Sequence, residues 1–183
     1  MDYILASASP RRKELLKFII SDFGCVTAEV EEICPDNMPP ESRPEYLAVL
    51  KAKAVAKNHT ESVVIGADTA VFLNGTMLGK PISEADAKSM LKSLSGKTHS
   101  VITGCALIKG EKITSFSVKT DVKFLCLSEA QIDSYIKTGE PLDKAGSYGI
   151  QGFGSLLVDS INGDYFNVVG LPVSRLNAEL LNF

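Results

Sequence analysis

The sequence contains no tryptophan and only two histidines, His59 and His99. Neither histidine has the spacing of a metal ligand or lies beside a serine or cysteine motif, so zinc chemistry and a Ser-His-Asp mechanism are disfavoured. The four cysteines are widely spaced and form no C-x-x-C pair. This spacing indicates neither a zinc knuckle nor a redox motif, and we expect reduced, packed thiols.

Two further absences concern partners and location. The chain has no basic excess, because 19 Lys and Arg stand against 22 Asp and Glu for a net charge of −3, so a nucleic-acid polymer is not an expected partner. No apolar run approaches the roughly 20 residues of a membrane span, and the N-terminal residues do not resemble a signal peptide. We therefore expect a cytoplasmic protein that binds no membrane. Binding of a small anionic ligand by local cations remains compatible with the composition.

The length and patterning predict one α/β domain over residues 1–183, with a bilobed form as a variant. Hydrophobic periodicity predicts a helix that begins at Ser9-Pro10 and runs to about residue 19. It predicts further helices near residues 45–57, 83–94, 127–137 and 173–181, and strands near 3–6, 62–66, 100–107, 113–124 and 156–161. Asn74-Gly75 is typical of a tight hairpin turn. The sheet is expected to be mixed.

The N-terminal segment could bind phosphate. Ser7, Ser9, Arg11 and Arg12 lie where a strand passes into a helix, whose first turn presents unpaired backbone N–H groups and the positive end of the helix dipole. Two guanidinium groups and two hydroxyls there could form a phosphate receptor. The alternative is an ordinary capped helix with solvated arginines, and this segment alone does not decide between them.

Two acidic positions are candidates for metal binding or proton transfer. Asp68 is predicted to lie just beyond a buried strand, where α/β sheets commonly display ligand-binding groups. Its carboxylate could hold Mg²⁺ or accept a proton from water, or it could cap a turn. Glu32, in an acidic pair with Glu31, could be a second metal ligand or part of a solvated surface.

Three other residues could face a nucleotide. Lys51 and Lys80 could each place a positive charge against phosphate, although either alone would more often be a surface lysine. Gln151 lies in the glycine-rich segment 139–154, whose backbone could approach a ligand or simply connect two strands. Its amide has both the donor and the acceptor that reading a base edge requires. Cations, carboxylates and no obvious nucleophile together indicate metal-assisted attack of water on a phosphoanhydride.

These motifs together resemble a known family. The opening Leu5-Ala6-Ser7-Ala8-Ser9-Pro10-Arg11-Arg12, with Glu14-Leu15-Leu16, resembles the first signature of the Maf (septum-formation-inhibitor) proteins. Further blocks are similar to the family's in its own order: Glu32, Leu47-Ala48 with Lys51-Ala52, Gly66-Ala67-Asp68-Thr69, Gly79-Lys80-Pro81, Leu94-Ser95-Gly96, Gly149-Ile150-Gln151-Gly152 and Val169-Gly170-Leu171-Pro172. Several motifs at the right separations make the resemblance specific.

The resemblance implies an inosine-triphosphatase-like fold, a long twisted mixed sheet flanked by helices in two lobes with a central cleft. It implies a nucleoside triphosphate pyrophosphatase that needs a divalent cation, Mg²⁺, Mn²⁺ or Co²⁺. The catalytic residues would be Asp68, as proton acceptor, with Lys51 and Lys80. Glu32 and Asp68 would bind the metal. The substrate would contact the remaining matched positions, Ser7, Arg11, Arg12, Thr69 and Gln151.

Substrate choice within the family is associated with three of these positions. Arg11, Thr69 and Gln151 resemble the branch acting on dTTP and UTP, whereas the branch acting on 7-methyl-GTP has Trp, Gln and Glu. The resemblance thus implies hydrolysis of dTTP, UTP and modified pyrimidine nucleotides in the house-cleaning of nucleotide pools, with a link to septum formation. The alternatives are a purine triphosphate pyrophosphatase acting on ITP or XTP and a non-catalytic nucleotide-binding regulator. A homodimer stays open.

Overall fold

The computed structural model describes residues 2–183, so position 1 of the predicted domain lies outside the described residues. The strands are β1 (Tyr3–Leu5), β2 (Gly24–Cys25), β3 (Val63–Leu73), β4 (Thr76–Leu78), β5 (Thr98–Lys109), β6 (Lys112–Phe124) and β7 (Val158–Asn162). Within residues 2–183 these form a seven-stranded sheet in the order β2-β1-β3-β5-β6-β7, and β4 pairs with β3. Strand β1 is parallel to β2 and β3, whereas β4 and β7 pair antiparallel, so the predicted mixed sheet is confirmed.

Six α-helices accompany the sheet in the described part of the chain. They are α1 (Pro10–Leu16), α2 (Arg43–Ala56), α3 (Glu84–Leu94), α4 (Glu129–Ile136), α5 (Tyr165–Val169) and α6 (Val173–Asn182). Short 3₁₀ turns cover Pro40–Ser42, Glu140–Asp143, Ala145–Ser147 and Gly152–Leu157. The α/β class is confirmed. Helix α5 was not predicted, because its five residues are too few for a periodic pattern.

Serine caps define the starts of three helices. Ser9, Ser83 and Ser128 each accept a hydrogen bond from the backbone N–H three residues further on. Each bond satisfies one of the unpaired donors of a first helical turn. The predicted starts are therefore confirmed, but α1 ends at Leu16 rather than near residue 19.

Strand β3 is longer than its sequence pattern predicts. The strand was expected over residues 62–66, with Asp68 just beyond its end, but it continues to Leu73. Asp68 and Thr69 are half-buried within it, and the residues on both sides are buried. The prediction was wrong because two polar residues between apolar runs resemble a strand end. The hairpin prediction is confirmed, since Asn74 and Gly75 have φ of 51° and 79° between β3 and β4.

The chain divides into two compact units. The first comprises Met1–Thr69, Thr103–Val118 and Gly170–Phe183, and the second Ala70–Ile102 and Lys119–Val169. The division falls within β3, β5 and β6, so each unit contains part of these strands. The first unit has a core cluster of small and branched side chains from β1, α2, β3 and β5. The second contains an aromatic cluster in which the rings of His99, Phe124 and Tyr148 meet edge to face.

Two glycines let α2 pack unusually close to the sheet in the first unit. A Cβ atom at Gly66 of β3 would lie 2.2 Å from the carbonyl oxygen of Ala48, and one at Gly104 of β5 would lie 2.2 Å from the backbone nitrogen of Glu45. Neither distance is compatible with a side chain, and the obstructing atoms are backbone. The absence of side chains at these two positions therefore allows α2 to pack at this short distance from the sheet.

The four cysteines are free thiols, as expected. The expectation that they are packed is correct for the buried Cys105, whose pKa burial raises to about 12. Cys34 is half-buried, and the expectation is wrong for Cys25 and Cys126, which are exposed. None of the helices in residues 2–183 combines the length and the hydropathy that crossing a bilayer requires.

Candidate functional site

Lys51 joins the two predicted acidic residues in the first unit. Its Nζ lies 2.6 Å from Oδ1 of Asp68 and 2.9 Å from Oε1 of Glu32. The side chains of Lys51 and Asp68 are only 14% and 15% exposed, whereas that of Glu32 is 53% exposed. One ammonium group therefore holds a mostly buried carboxylate and a solvent-accessible carboxylate together.

The close packing of α2 explains how Lys51 reaches Asp68. Ala48, Lys51 and Ala52 are spaced three and four residues apart and share one helix face. Ala48 and Ala52 are fully buried against the sheet, beside Gly66. Gly66 and Asp68 are two residues apart in β3 and so point to the same sheet face, which places the carboxylate next to that side of α2.

Burial controls the electrostatics of this carboxylate. Loss of solvent raises the pKa of Asp68 above its ordinary value of 3.8. The charge and the hydrogen bond of Lys51 oppose this shift, and Arg12 opposes it more weakly. A carboxylate whose charged form is poorly solvated binds a proton more readily than an exposed one. Asp68 thus combines a pKa raised by burial with a cation at hydrogen-bond distance.

Arg12 forms the second part of the arrangement. Its Nε donates to the carbonyl oxygen of Gly170 at 2.9 Å, Nη1 to Oγ of Ser7 at 3.3 Å, and Nη2 to Oγ1 of Thr69 at 3.0 Å. All three acceptors are uncharged oxygens. Burial lowers the pKa of Arg12 from its ordinary value, and the charge of Asp68 acts in the opposite sense. The guanidinium is therefore held in a fixed orientation without direct neutralisation by these partners.

Thr69 connects this arginine to a residue that the sequence did not single out. Its Oγ1 lies 2.9 Å from Oγ1 of Thr103 in β5, which is fully buried. Thr69 follows Asp68 in β3, so the two side chains point to opposite faces of the strand. This explains why Asp68 bonds to α2 while Thr69 bonds to Arg12 of α1.

Two residues of the network were therefore missed as functional positions. Thr103 interrupts the apolar run Val101 to Ile108. An isolated polar residue in a buried strand needs a hydrogen-bond partner, and this was the signal that could have identified it. Gly170 contributes its carbonyl oxygen from a backbone with φ of 128°, which favours glycine. Its sequence block was noted in the resemblance, without a role.

The other predicted site residues make no contact described for this network. Arg11 lies half-buried in the first turn of α1, beside Arg12. Lys80 and Gln151 belong to the second unit, and both are exposed. Lys80 follows β4, and Gln151 immediately precedes the 3₁₀ turn Gly152–Leu157. The first unit thus assembles Ser7, Arg12, Glu32, Lys51, Asp68 and Thr69.

The carboxylates are chemically suited to a hard divalent cation. Within residues 2–183 no group of three or more His, Cys, Asp or Glu side chains has the arrangement of a metal site. Glu32 and Asp68 nevertheless supply two oxygen donors joined through Lys51. Mg²⁺ is commonly held by one or two carboxylates, with water and substrate phosphates as the remaining ligands. The donor set therefore fits a cation that arrives with a phosphate ligand.

The chain belongs to the Maf family, because the family profile described as "Maf-like protein" matches residues 2–183. It is 54% identical over 180 residues to a protein of Bacillus mycoides named "dTTP/UTP pyrophosphatase", covering 98% of this chain and 94% of the relative. A relative of the same name from Bacillus cytotoxicus is 54% identical over 181 residues, covering 99% and 95%. The resemblance inferred from the motifs is therefore confirmed.

Solved structures support the expected fold. A HAM1 protein from Coxiella burnetii is similar with a TM-score of 0.58 and 15% identity, covering 100% of both chains. A protein of Mycobacterium abscessus titled "Nucleoside-triphosphatase / dITP/XTP pyrophosphatase" has a TM-score of 0.50 and 15% identity, covering 100% of this chain and 98% of the other. The expected inosine-triphosphatase-like fold, as a mixed sheet flanked by helices, is thus confirmed, and these low identities show the fold alone.

Proposed function

We propose that this protein is a nucleoside triphosphate pyrophosphatase that hydrolyses dTTP and UTP to the monophosphate and pyrophosphate. Relatives about 54% identical over nearly the whole chain are named for that activity. The structural observation that best supports it is the Glu32–Lys51–Asp68 arrangement, in which a buried carboxylate lies beside a cation and a second carboxylate. Such a site suits activation of water next to a polyphosphate.

In the proposed reaction, Asp68 accepts a proton from the attacking water. The water oxygen forms a bond to the α-phosphorus, the bond from the α-phosphorus to the oxygen that bridges it to the β-phosphorus breaks, and that oxygen leaves with pyrophosphate. Burial favours the protonated form of Asp68, which supports its role as the acceptor. Lys51 keeps the carboxylate oriented through its 2.6 Å contact and offsets negative charge near it.

Arg12 and Ser7 are proposed to bind the phosphates, and the role of Lys80 as a further cation stays a prediction. The described contacts of Arg12 use three of the five N–H donors of a guanidinium. Charge-assisted hydrogen bonds from the other two would suit phosphate oxygens. Because the bonds to Gly170 and Thr69 already orient the group, little conformational entropy would be lost when phosphate binds.

A divalent cation, Mg²⁺, Mn²⁺ or Co²⁺, is proposed as the cofactor. Glu32 and Asp68 would hold it through their carboxylate oxygens. When bound, it would supply charge stabilisation to the phosphate oxygens and lower the pKa of water. Lys51, which contacts both carboxylates, would keep them close together.

Base choice is proposed to involve Arg11, Thr69 and Gln151. The amide of Gln151 offers one donor and one acceptor, which match the O4 acceptor and N3 donor of uracil or thymine. Thr69 is oriented by its contacts with Arg12 and Thr103. Modified pyrimidine nucleotides of the uracil type would keep the same O4 acceptor and N3 donor, so we propose them as further substrates in the house-cleaning of nucleotide pools.

The proposed partner is a nucleoside triphosphate rather than a nucleic-acid polymer or a membrane, and the proposed location is the cytoplasm. A homodimer and a link to septum formation stay predictions. The purine alternative gains no support from the Mycobacterium abscessus structure, because 15% identity is informative about the fold only.

A substrate panel tests the proposal. Pyrophosphate release is measured from dTTP, UTP, CTP, GTP and ITP with a divalent metal, for the protein and for Asp68→Asn. We expect the highest kcat/KM for dTTP and UTP and a large loss in the variant. A preference for ITP would favour the purine alternative. Binding without hydrolysis of any nucleotide would favour the regulator.

A further inference from the structure

Gln151 lies on a short backbone segment that is held in place on both sides. We call Gly149–Gly154 the glutamine segment. The side chain of Gln151 is exposed, whereas Ile150 before it and Gly154 after it are buried. Packing against the Gln151 side chain therefore contributes little to its position. The backbone on either side is held by the buried Ile150 and by the contacts of the neighbouring glycines.

Tyr135 of α4 holds the first end of this segment. The backbone N–H of Gly149 donates a 3.1 Å hydrogen bond to its hydroxyl oxygen. The tyrosine is only 4% exposed, and a Cβ atom at Gly154 would lie 2.9 Å from the same oxygen. The hydroxyl thus lies between Gly149 and Gly154, the two ends of the glutamine segment.

Glu140 holds the second end. Its Oε2 accepts a 3.2 Å hydrogen bond from the backbone N–H of Gly154. Its Oε1 lies where a Cβ atom at Gly152 would be only 2.1 Å away, and Gly152 has φ of 61°. The carboxylate therefore packs directly against the backbone next to Gln151, and a side chain at Gly152 would displace it.

We propose that Tyr135 and Glu140 are positioning residues for base selection, because they fix the glutamine segment and thereby the orientation of Gln151. This inference rests on the proposed role of Gln151 at the base. Neither residue needs to touch the nucleotide. By fixing the backbone, they lower the conformational entropy that the exposed amide of Gln151 loses when it pairs with a base. An amide held in one orientation forms both hydrogen bonds only with a matching base, so binding of that base is favoured over binding of others.

The first experiment measures the segment without any nucleotide. Amide hydrogen exchange at Gly149 and Gly154 is followed by NMR in Tyr135→Phe and Glu140→Ala. We expect exchange about tenfold faster at the amide that loses its acceptor, with Glu140→Gln intermediate because its amide oxygen can still accept. Ser128→Ala is the matched control, since it removes the N-cap of α4 without removing either acceptor. Unchanged exchange in both positioning variants would overturn the proposal.

The second experiment measures selection. We expect Tyr135→Phe and Glu140→Ala to lower the ratio of kcat/KM for dTTP to that for ITP about fivefold, mainly through KM for dTTP, while kcat changes less than about twofold. Ser128→Ala should leave the ratio unchanged. In a Gln151→Ala background the same substitutions should have no further effect on the ratio, because the group that they position is gone.

The two experiments distinguish a failure of the positioning proposal from a failure of the proposed role of Gln151 in base selection. If the substitutions lower the ratio equally in the Gln151→Ala background, they act independently of Gln151 and the positioning proposal is wrong. If exchange accelerates as expected but Gln151→Ala itself leaves the ratio unchanged, the role of Gln151 in base choice fails. In that case Tyr135 and Glu140 are shown to fix the backbone, but not to select a base.

Discussion

The Nε of Arg12 donates a 2.9 Å hydrogen bond to the carbonyl oxygen of Gly170, which joins two residues 158 positions apart in the chain. The same guanidinium bonds to Ser7 and Thr69, so one side chain connects the N-terminal motif, β3 and the segment before α6. A planar group with donors in several directions is required for this, and lysine cannot provide it. The connection gives Arg12 both a structural role and a proposed role in phosphate binding.

Arg12→Lys should therefore lose stability and activity together. We expect the free energy of unfolding to fall by about 1–3 kcal/mol, because the buried Gly170 carbonyl and the half-buried hydroxyls of Ser7 and Thr69 lose donors, and kcat/KM for dTTP to fall at least about tenfold. Denaturant unfolding and pyrophosphate release measure the two effects. Arg175→Lys is the control, since Arg175 makes an exposed pair with Glu179 that contributes little. Equal behaviour of the two variants would contradict the central position of Arg12.

Asp68→Asn should remove activity while the protein stays folded. Asparagine keeps the shape of the side chain and loses the proton acceptor, so we expect kcat to fall by about 10²-fold or more. Lys51 retains its contact with Glu32, and the buried charge of Asp68 is removed together with its cost of burial. Circular dichroism and steady-state kinetics provide the measurement. Turnover close to that of the unmodified protein would show that Asp68 is not the acceptor.

Activity should depend on a divalent cation that Glu32 helps to bind. EDTA should abolish pyrophosphate release, and Mg²⁺, Mn²⁺ or Co²⁺ should restore it. Glu32→Gln should raise the metal concentration needed for half-maximal activity by about tenfold or more, because one charged oxygen ligand is lost. Glu31→Gln is the neighbouring control at an exposed site. Full activity in a rigorously metal-free preparation, or identical metal dependence of the two variants, would refute this assignment.

Much of the helical framework could be predicted because its signals are local. Ser9, Ser83 and Ser128 mark helix starts by side-chain hydrogen bonds that reach only three residues ahead. The extent of β3 could not be predicted, since Asp68 and Thr69 are accommodated in the strand by partners far away in the sequence. The local pattern contains no information about those partners.

The site shows the same contrast between residue identity and assembly. Lys51, Glu32 and Asp68 were identified from motifs, but their contacts depend on how closely α2 packs on Gly66 and Gly104. Thr103 was missed because a single threonine within an apolar strand matches no motif, and Gly170 was missed because it contributes only a backbone carbonyl oxygen. Tyr135 and Glu140 were missed for a related reason: they contact backbone N–H groups rather than a recognisable side-chain partner.

His99 should make the protein sensitive to acid. Its Nε2 lies 2.7 Å from the hydroxyl oxygen of Tyr148, and burial lowers the pKa of His99 from 6.5 to about 4, against an opposing effect of Asp121. The unfolded chain therefore binds more protons than the folded protein between these two values. Stability present above pH 6.5 should be lost as the pH falls to about 4, by about 3 kcal/mol from this group.

The test compares His99→Gln with His59→Gln. Denaturant unfolding is measured from pH 7 to pH 4, and the slope of unfolding free energy against pH should decrease only in His99→Gln. His99→Gln starts from a lower stability, because it loses ring contacts with Phe124 and Tyr148, so the slope is the informative quantity. An unchanged slope would mean that other groups dominate the acid response.

Gln151→Glu should change base selection more than chemistry. Glutamate can accept a hydrogen bond from N3 of uracil or thymine, but it sets a negative charge against O4, so one edge is left unpaired or repelled. A mismatch at a site that hydrogen-bonds its substrate costs roughly 1–3 kcal/mol for each stranded group. We therefore expect kcat/KM for dTTP and UTP to fall by about 5- to 150-fold, at about 1.4 kcal/mol per tenfold.

The phosphate and metal residues are unchanged in Gln151→Glu, so most of this loss should appear as weaker discrimination between bases. The measurement is kcat/KM for dTTP, UTP, CTP, GTP and ITP in both proteins. Glu61→Gln, an exposed substitution in the loop before β3, controls for a change of charge and amide content elsewhere on the surface. An equal loss on every nucleotide would place Gln151 in the catalytic machinery or the fold, because a residue at the base must affect different bases differently.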